Sequence, residues 1–169
     1  VFASGGGTNL QALLDHETED GPYRIVVVIS DRESAGALTR AEAADRVART
    51  IAVRGRPSEE VAAETLELLE SLNVRVIFLT GYLRLIPSAI VSAYRRRILN
   101  IHPALLPDFG GTGMYGQRVH QAVLASGAPV SGATVHYADE EYDAGAIVGQ
   151  LRVPVLPDDD APTLAARVL

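Results

Sequence analysis

Three short stretches of this chain hold residue types that can do polar chemistry. Ser4-Gly5-Gly6-Gly7-Thr8-Asn9 joins an apolar segment to a run with Leu10, Leu13 and Leu14 at helical spacing. Glycines let backbone N–H groups approach a ligand, and a helix start adds partial positive charge. Together these suit a phosphate. No Gly-Lys-Ser/Thr follows, so this is not a P-loop. As a dinucleotide fingerprint it is imperfect: Gly5 and Gly7 fit, Leu10 takes the third glycine position, and Asp31 stands where a ribose-binding acid would. A tight turn without a ligand is the plainer alternative.

The second stretch is Leu99-Asn100-Ile101-His102-Pro103. Side chains alternate along a strand, so Asn100 and His102 point to one side and Ile101 to the other, into the core. Open α/β sheets place ligands at the C-terminal ends of their strands. An isolated histidine here would be structural, but the asparagine two residues before it and the glycine-rich loop behind it favour a site. The third stretch is Asp139-Glu140-Glu141-Tyr142-Asp143-Ala144-Gly145. Its carboxylates can form a solvated loop, and Asp143 can simply shape a turn. No histidine pair has metal-ligand spacing, so no metal is expected. His16 and His120 read as surface positions. His136 alternates within a strand and is expected to support the site from behind.

Strand and helix signals alternate along the chain. Strands are expected at Val1–Ser4, Tyr23–Ser30, Thr50–Val53, Val74–Thr80, Ile98–Ile101, Ser131–Tyr137 and Ala146–Val155. Helices are expected after Asn9, over Ala35–Ala48, from Ser58 as cap through Val61, Thr65, Leu68, Leu69 and Leu72, after Pro87, and over Gln117–Ser126. Repeated strand–helix–strand units imply an α/β, three-layer, Rossmann-like fold: a mainly parallel sheet with helices on both faces. No linker separates domains, so residues 1–169 read as one domain. Val1–Ala3 reads as a strand already under way and Thr163–Leu169 as a helix stopped in mid-pattern, so extension beyond both ends is expected.

Hydrophobic residues make up 47% of the chain and charged residues 21%, a balance that argues against disorder of the whole chain. The net charge is −6, and the densest basic run, Arg95-Arg96-Arg97, reads as a solvated helix end. No broad basic field exists for nucleic acid. The absence of cysteine excludes disulfides and thiolate nucleophiles and fits a cytoplasmic protein. No apolar run is long enough to span a bilayer.

Taken together, these residues resemble the glycinamide ribonucleotide formyltransferase family of purine biosynthesis. The resemblance runs through Ser-Gly-Gly-Gly-Thr-Asn-Leu-Gln at 4–11, Thr-Gly-Tyr-Leu-Arg-Leu-Ile at 80–86 and Leu-Asn-Ile-His-Pro-Ala-Leu-Leu-Pro at 99–107. It continues through Gly-Ala-Thr-Val-His-Tyr at 132–137 and Asp-Ala-Gly-Ala-Ile-Val at 143–148. It implies a formyltransferase fold and transfer of the formyl group of 10-formyltetrahydrofolate to the amine of glycinamide ribonucleotide, by a monomer or homodimer.

By position, the resemblance implies that Gly7, Thr8 and Asn9 hold the substrate phosphate. Leu83, Arg84, Leu85, Ile86 and Asn100, with Asp139, Glu140, Glu141, Tyr142 and Asp143, would line the folate pocket. Asn100, His102 and Asp143 would be catalytic, with Asp143 raising the pKa of His102. The Leu106–Pro107 bond would be cis. The N-terminal half, about 1–98, would bind phosphate, and the C-terminal half, about 99–169, would bind folate and catalyse. The stretch Phe109–Gly116 is longer and more glycine-rich than in many members, and the resemblance implies that residues completing the family's phosphate site would lie beyond Leu169.

Rival readings are a formyltetrahydrofolate hydrolase or another folate-dependent formyltransferase. From other classes come an NAD-dependent oxidoreductase, on Gly5, Gly7 and Asp31, and a non-catalytic nucleotide-binding module.

Overall fold

A computed structural model describes residues 1–169. The β-branched runs form the centre of one sheet. β1 (Val27–Ser30) pairs in parallel with β2 (Val47–Thr50), and β3 (Ile77–Leu79) pairs in parallel with β4 (Ile98–His102). Val1–Ala3 threads between β1 and β3: Phe2 N–H donates to Phe78 at 2.8 Å and Ala3 N–H to Ile29 at 3.0 Å. Two longer strands, β5 (Val130–Tyr137) and β6 (Ile147–Pro154), extend the sheet antiparallel from β4. The sheet is thus parallel through its first half and antiparallel after His102.

Helices cover both faces because the strands carry apolar residues on both sides. Val27 and Ile29 face α3 (Ser58–Ser71) and α4 (Ser88–Ala93), in a core with Phe2, Leu69, Ile77, Ile90 and Ile98. Val28 and Ala3 face the other way, against Leu10 of α1 (Thr8–Asp15) and Ala37, Leu38 and Ala41 of α2 (Gly36–Ala43). Burial of each such Leu, Ile or Val stabilises by roughly 1.5–3 kcal/mol. Under the antiparallel strands, α5 (Gln117–Ser126) and α6 (Ala161–Val168) enclose Ala104, Val119, Val123 and Leu164. No helix is long and apolar enough to cross a membrane.

Several expected boundaries move. The helix expected over Ala35–Ala48 ends at Ala43, because Asp45 takes a left-handed conformation at φ 59°. The Arg46 and Asp45 amides then return to the Ala41 and Glu42 carbonyls at 2.8 and 3.0 Å, which closes the helix end. The freed residues Val47–Thr50 become β2, three residues before the strand expected at Thr50–Val53. Ser58 was expected to cap α3, but Pro57 occupies that position and no side chain caps the helix.

Candidate active site

β4 ends where its polar side chains are needed. Asn100 and His102 leave one face of the strand and converge on Asp143, which arrives from the loop between β5 and β6. Asn100 Nδ2 donates to Asp143 Oδ1 at 3.2 Å, and His102 Nδ1 lies 3.4 Å from Asp143 Oδ2. His136, paired opposite Asn100 on β5, completes the cluster, as expected of a supporting residue. Its Nδ1 is 2.9 Å from the Tyr137 carbonyl, so that nitrogen carries the proton, and its Nε2 accepts from Asn100 Nδ2 at 2.9 Å. Two acceptors therefore fix the orientation of the Asn100 amide.

Asp143 sits at φ 56° and its side chain is 9% exposed. Gly145 makes its approach achievable: a Cβ there would run into the Tyr137 carbonyl, so only glycine lets the loop lie flat on β5. Burial raises the Asp143 pKa, but the adjoining His136 and His102 imidazoles and the Gly111 amide, which donates at 3.0 Å, together hold it below the usual carboxylate range.

The His102 ring departs from expectation. Burial pushes its pKa down, and this outweighs the upward pull of Asp143 and of the Phe109 carbonyl. The ring of the unliganded chain is therefore neutral near pH 7, not charged. Its Nε2 lies 2.8 Å from the Phe109 carbonyl and carries the proton. The bare Nδ1 then faces a carboxylate oxygen, a contact that proton uptake would convert into a charge-assisted bond.

Asn100, His102 and Asp143 line a cavity of about 620 Å³, walled by Asn9 from the start of α1, Gly81 to Leu83, the glycine loop from Gly111 to Gly116, and the end of α6. At the start of α1, Gly7 has φ 77°, and a Cβ there would lie 2.8 Å from the Ala37 Cα. The amides of Gly7, Thr8 and Asn9 donate no hydrogen bond within the chain. The expected folate residues do not form one wall. Leu83, Asn100, Tyr142 and Asp143 line this cavity. Asp139, Glu140 and Glu141 line a second one of about 670 Å³, across from Arg95 and Arg96. Ile86 is buried in the core beside α4, and Arg84 pairs with Asp31 at 2.8 Å. Ile101, expected in the core, is only partly buried and lines the first cavity. The Leu106–Pro107 bond is cis, as the resemblance implies.

Sequence reasoning missed three participants. The Gly111 amide carries no side-chain signal. Arg118 lines the cavity from α5 with its guanidinium over the Tyr115 ring. His120, expected at the surface, is 4% exposed. Its place three residues before buried Val123 on α5 was the available signal. The oxidoreductase reading loses its acid, because the Asp31 side chain is buried and held by Arg84 and Arg32.

Residues 1–169 match the family described as formyl transferase. Phosphoribosylglycinamide formyltransferase of Haemophilus influenzae is 36% identical over 99% of this chain and 77% of its own length. The chloroplastic enzyme of that name from Vigna unguiculata is 41% identical over the whole chain. The chain spans 55% of the Vigna relative's length and 59% of that from Arabidopsis thaliana. Among solved structures, glycinamide ribonucleotide transformylase 1 from Symbiobacterium toebii superposes with a TM-score of 0.90 at 40% identity, over 99% of this chain and 77% of that one. A sheet that changes from parallel to antiparallel at His102, a carboxylate, carboxamide and imidazole gathered at that change, and a match along every residue lead to one conclusion: the chain belongs to the formyl transferase family.

Proposed function

We propose that this chain transfers the formyl group of 10-formyltetrahydrofolate to the amine of glycinamide ribonucleotide, a cytoplasmic step of purine biosynthesis, acting as a monomer or homodimer. One observation carries the reading: Asn100, His102 and Asp143, backed by His136, meet on the wall of a cavity that also reaches Asn9 at a helix start with free amides. Carboxylate, carboxamide and imidazole suit attack of an amine on a formyl carbon. The free amides beside Gly7 suit the phosphate of the acceptor. The names of the relatives agree with that chemistry.

In the proposed reaction the amine nitrogen forms a bond to the formyl carbon, and the carbonyl electrons move onto oxygen. That oxyanion needs donors, and each is worth about 2.7–4 kcal/mol of transition-state stabilisation. Both Asn100 Nδ2 and His102 Nε2 are engaged by protein acceptors in the unliganded chain, at 3.2 Å or less. The formyl oxygen would take the place of the Phe109 carbonyl on His102 and of Asp143 on Asn100. Asp143, ionised because its pKa is depressed, accepts the amine proton directly or through water. Collapse breaks the bond to the folate N10, which leaves with a proton. The same cluster can support the hydrolase alternative, in which water replaces the amine.

The test is an assay of the full chain with both substrates. Formylated glycinamide ribonucleotide should accumulate in proportion to deformylated folate. Release of free formate at the same rate without the acceptor would assign a hydrolase instead. No deformylation with or without acceptor would leave a binding module.

A further inference from the structure

Proposed catalysis leaves one buried imidazole unused. His120, on the first turn of α5, is 4% exposed and lines the same cavity as His102. Its Nδ1 is fully buried and has no partner within the chain. Its Nε2 also makes no hydrogen bond, yet it is not among the fully buried unpartnered atoms, so this nitrogen keeps access to the cavity. Leaving a buried polar group unpaired costs about 1–3 kcal/mol, and native folds leave few. That cost falls on Nδ1 and stays with the fold; Nε2 is the nitrogen that a ligand in the cavity can reach.

The tautomer follows from the same accounting. A proton on Nδ1 would be a buried donor with nothing to receive it. On Nε2 the proton points toward the cavity. Burial chiefly, with the neighbouring His102 imidazole adding to it, pushes the His120 pKa down, so the ring is neutral and keeps this arrangement. His120 is thus a single neutral donor on the wall of the cavity that His102 and the glycine loop also line.

We propose that His120 is a binding residue for the acceptor substrate, its Nε2–H donating to an oxygen of the amide-bearing ribonucleotide. The inference rests on the formyl-transfer reading above. The acceptor is its partner because the cavity also takes in Asn9 at the α1 start; Leu83 and Tyr142, expected against the folate, share that cavity, so the two KM values measured separately decide between the ligands.

The experiment compares full-length His120→Phe, His120→Gln and His120→Asn with the parent in formyl transfer, measuring KM for glycinamide ribonucleotide and for 10-formyltetrahydrofolate separately. Phe keeps the ring and removes the donor. Gln places an amide N–H near the Nε2 position, and Asn near the Nδ1 position. KM for the acceptor should rise about tenfold in His120→Phe, the loss of about 1.4 kcal/mol, with little change in KM for the folate. His120→Gln should recover most of the loss and His120→Asn should not. A general packing defect would move both KM values together and would not rank Gln above Asn. An unchanged acceptor KM in folded His120→Phe, or a matching rise in the folate KM, overturns the inference. Should the Phe variant not fold, equal acceptor KM values for Gln and Asn overturn it. A parent that formylates the acceptor while these outcomes fail removes only the role of His120. A parent that neither binds nor formylates the acceptor removes the site reading and this role with it.

Discussion

Asp143 is the residue on which the cluster turns, because its two oxygens face four different groups. Oδ1 accepts from Asn100 and lies 3.4 Å from His136 Nε2, while Oδ2 accepts from the Gly111 amide and lies 3.4 Å from His102 Nδ1. An isosteric Asp143→Asn keeps the shape and removes the charge. It should lower kcat by about 10²- to 10⁴-fold, the usual contribution of a positioned proton acceptor, with Tm little changed. It should also lower the His102 pKa further, since the carboxylate is what raises it. Steady-state kinetics and titration of the ring by NMR check both, and a ring that titrates higher in the variant would contradict this arrangement. Asn100→Ala should cost about 10²- to 10³-fold in kcat, as loss of one oxyanion donor does. At this scale the sequence reading was good for type and face: the alternation of Asn100 and His102 is a property of any strand. Their electrostatics were not legible. The charge on His102 depends on how deeply β4 is buried, which no local pattern encodes.

Elements decide whether these side chains meet. Gly145 lets the β5–β6 loop lie against the Tyr137 carbonyl, and Asp143 is placed two residues earlier in a left-handed conformation. Gly145→Ala should push the loop off the sheet. A displacement of about 1 Å costs roughly 10²-fold in rate, so kcat should fall strongly while Tm falls modestly. Near-parental kcat with an unshifted loop in a crystal structure would count against the close approach. Gly7→Ala acts differently. It strains a φ of 77° and crowds Ala37, so it should raise the acceptor KM and destabilise the α1–α2 packing together. The sequence showed both glycine segments but not this division of labour. It also missed where α2 ends. Asp45 and Asn73 close α2 and α3 in left-handed conformations that a search for glycine overlooks. The antiparallel turn of β5 and β6 was equally hidden, since alternation in a strand says nothing of its direction.

Over the whole molecule, a chain of net charge −6 buries the imidazoles of His102 and His120 and the carboxylates of Asp31 and Asp143, and this gives its stability a defined pH dependence. His102 and His120 have pKa values below 6.5, each chiefly through burial. Around His102 lie Asp143 and His136; His102 itself is the charge that acts on His120. The unfolded chain binds more protons than the folded one below pH 6.5, so stability rises with pH through that window and levels off above it. Asp143 and Asp31 lie below 3.8, where burial is outweighed by the hydrogen bonds and cations around them. Their contribution is present above pH 3.8 and is lost as pH falls through their folded values. Both pairs therefore act in the same direction, in two steps. Tm measured from pH 8 downward should hold steady to about pH 6.5, decline through pH 5, and drop again below pH 4. His120→Phe should make the first decline shallower, leaving the share of His102, without touching the second, because Phe neither titrates nor needs a partner. A Tm that stays level from pH 7 to pH 5, or a first step unaltered in His120→Phe, would mean that the imidazole of α5 is not held neutral in the fold.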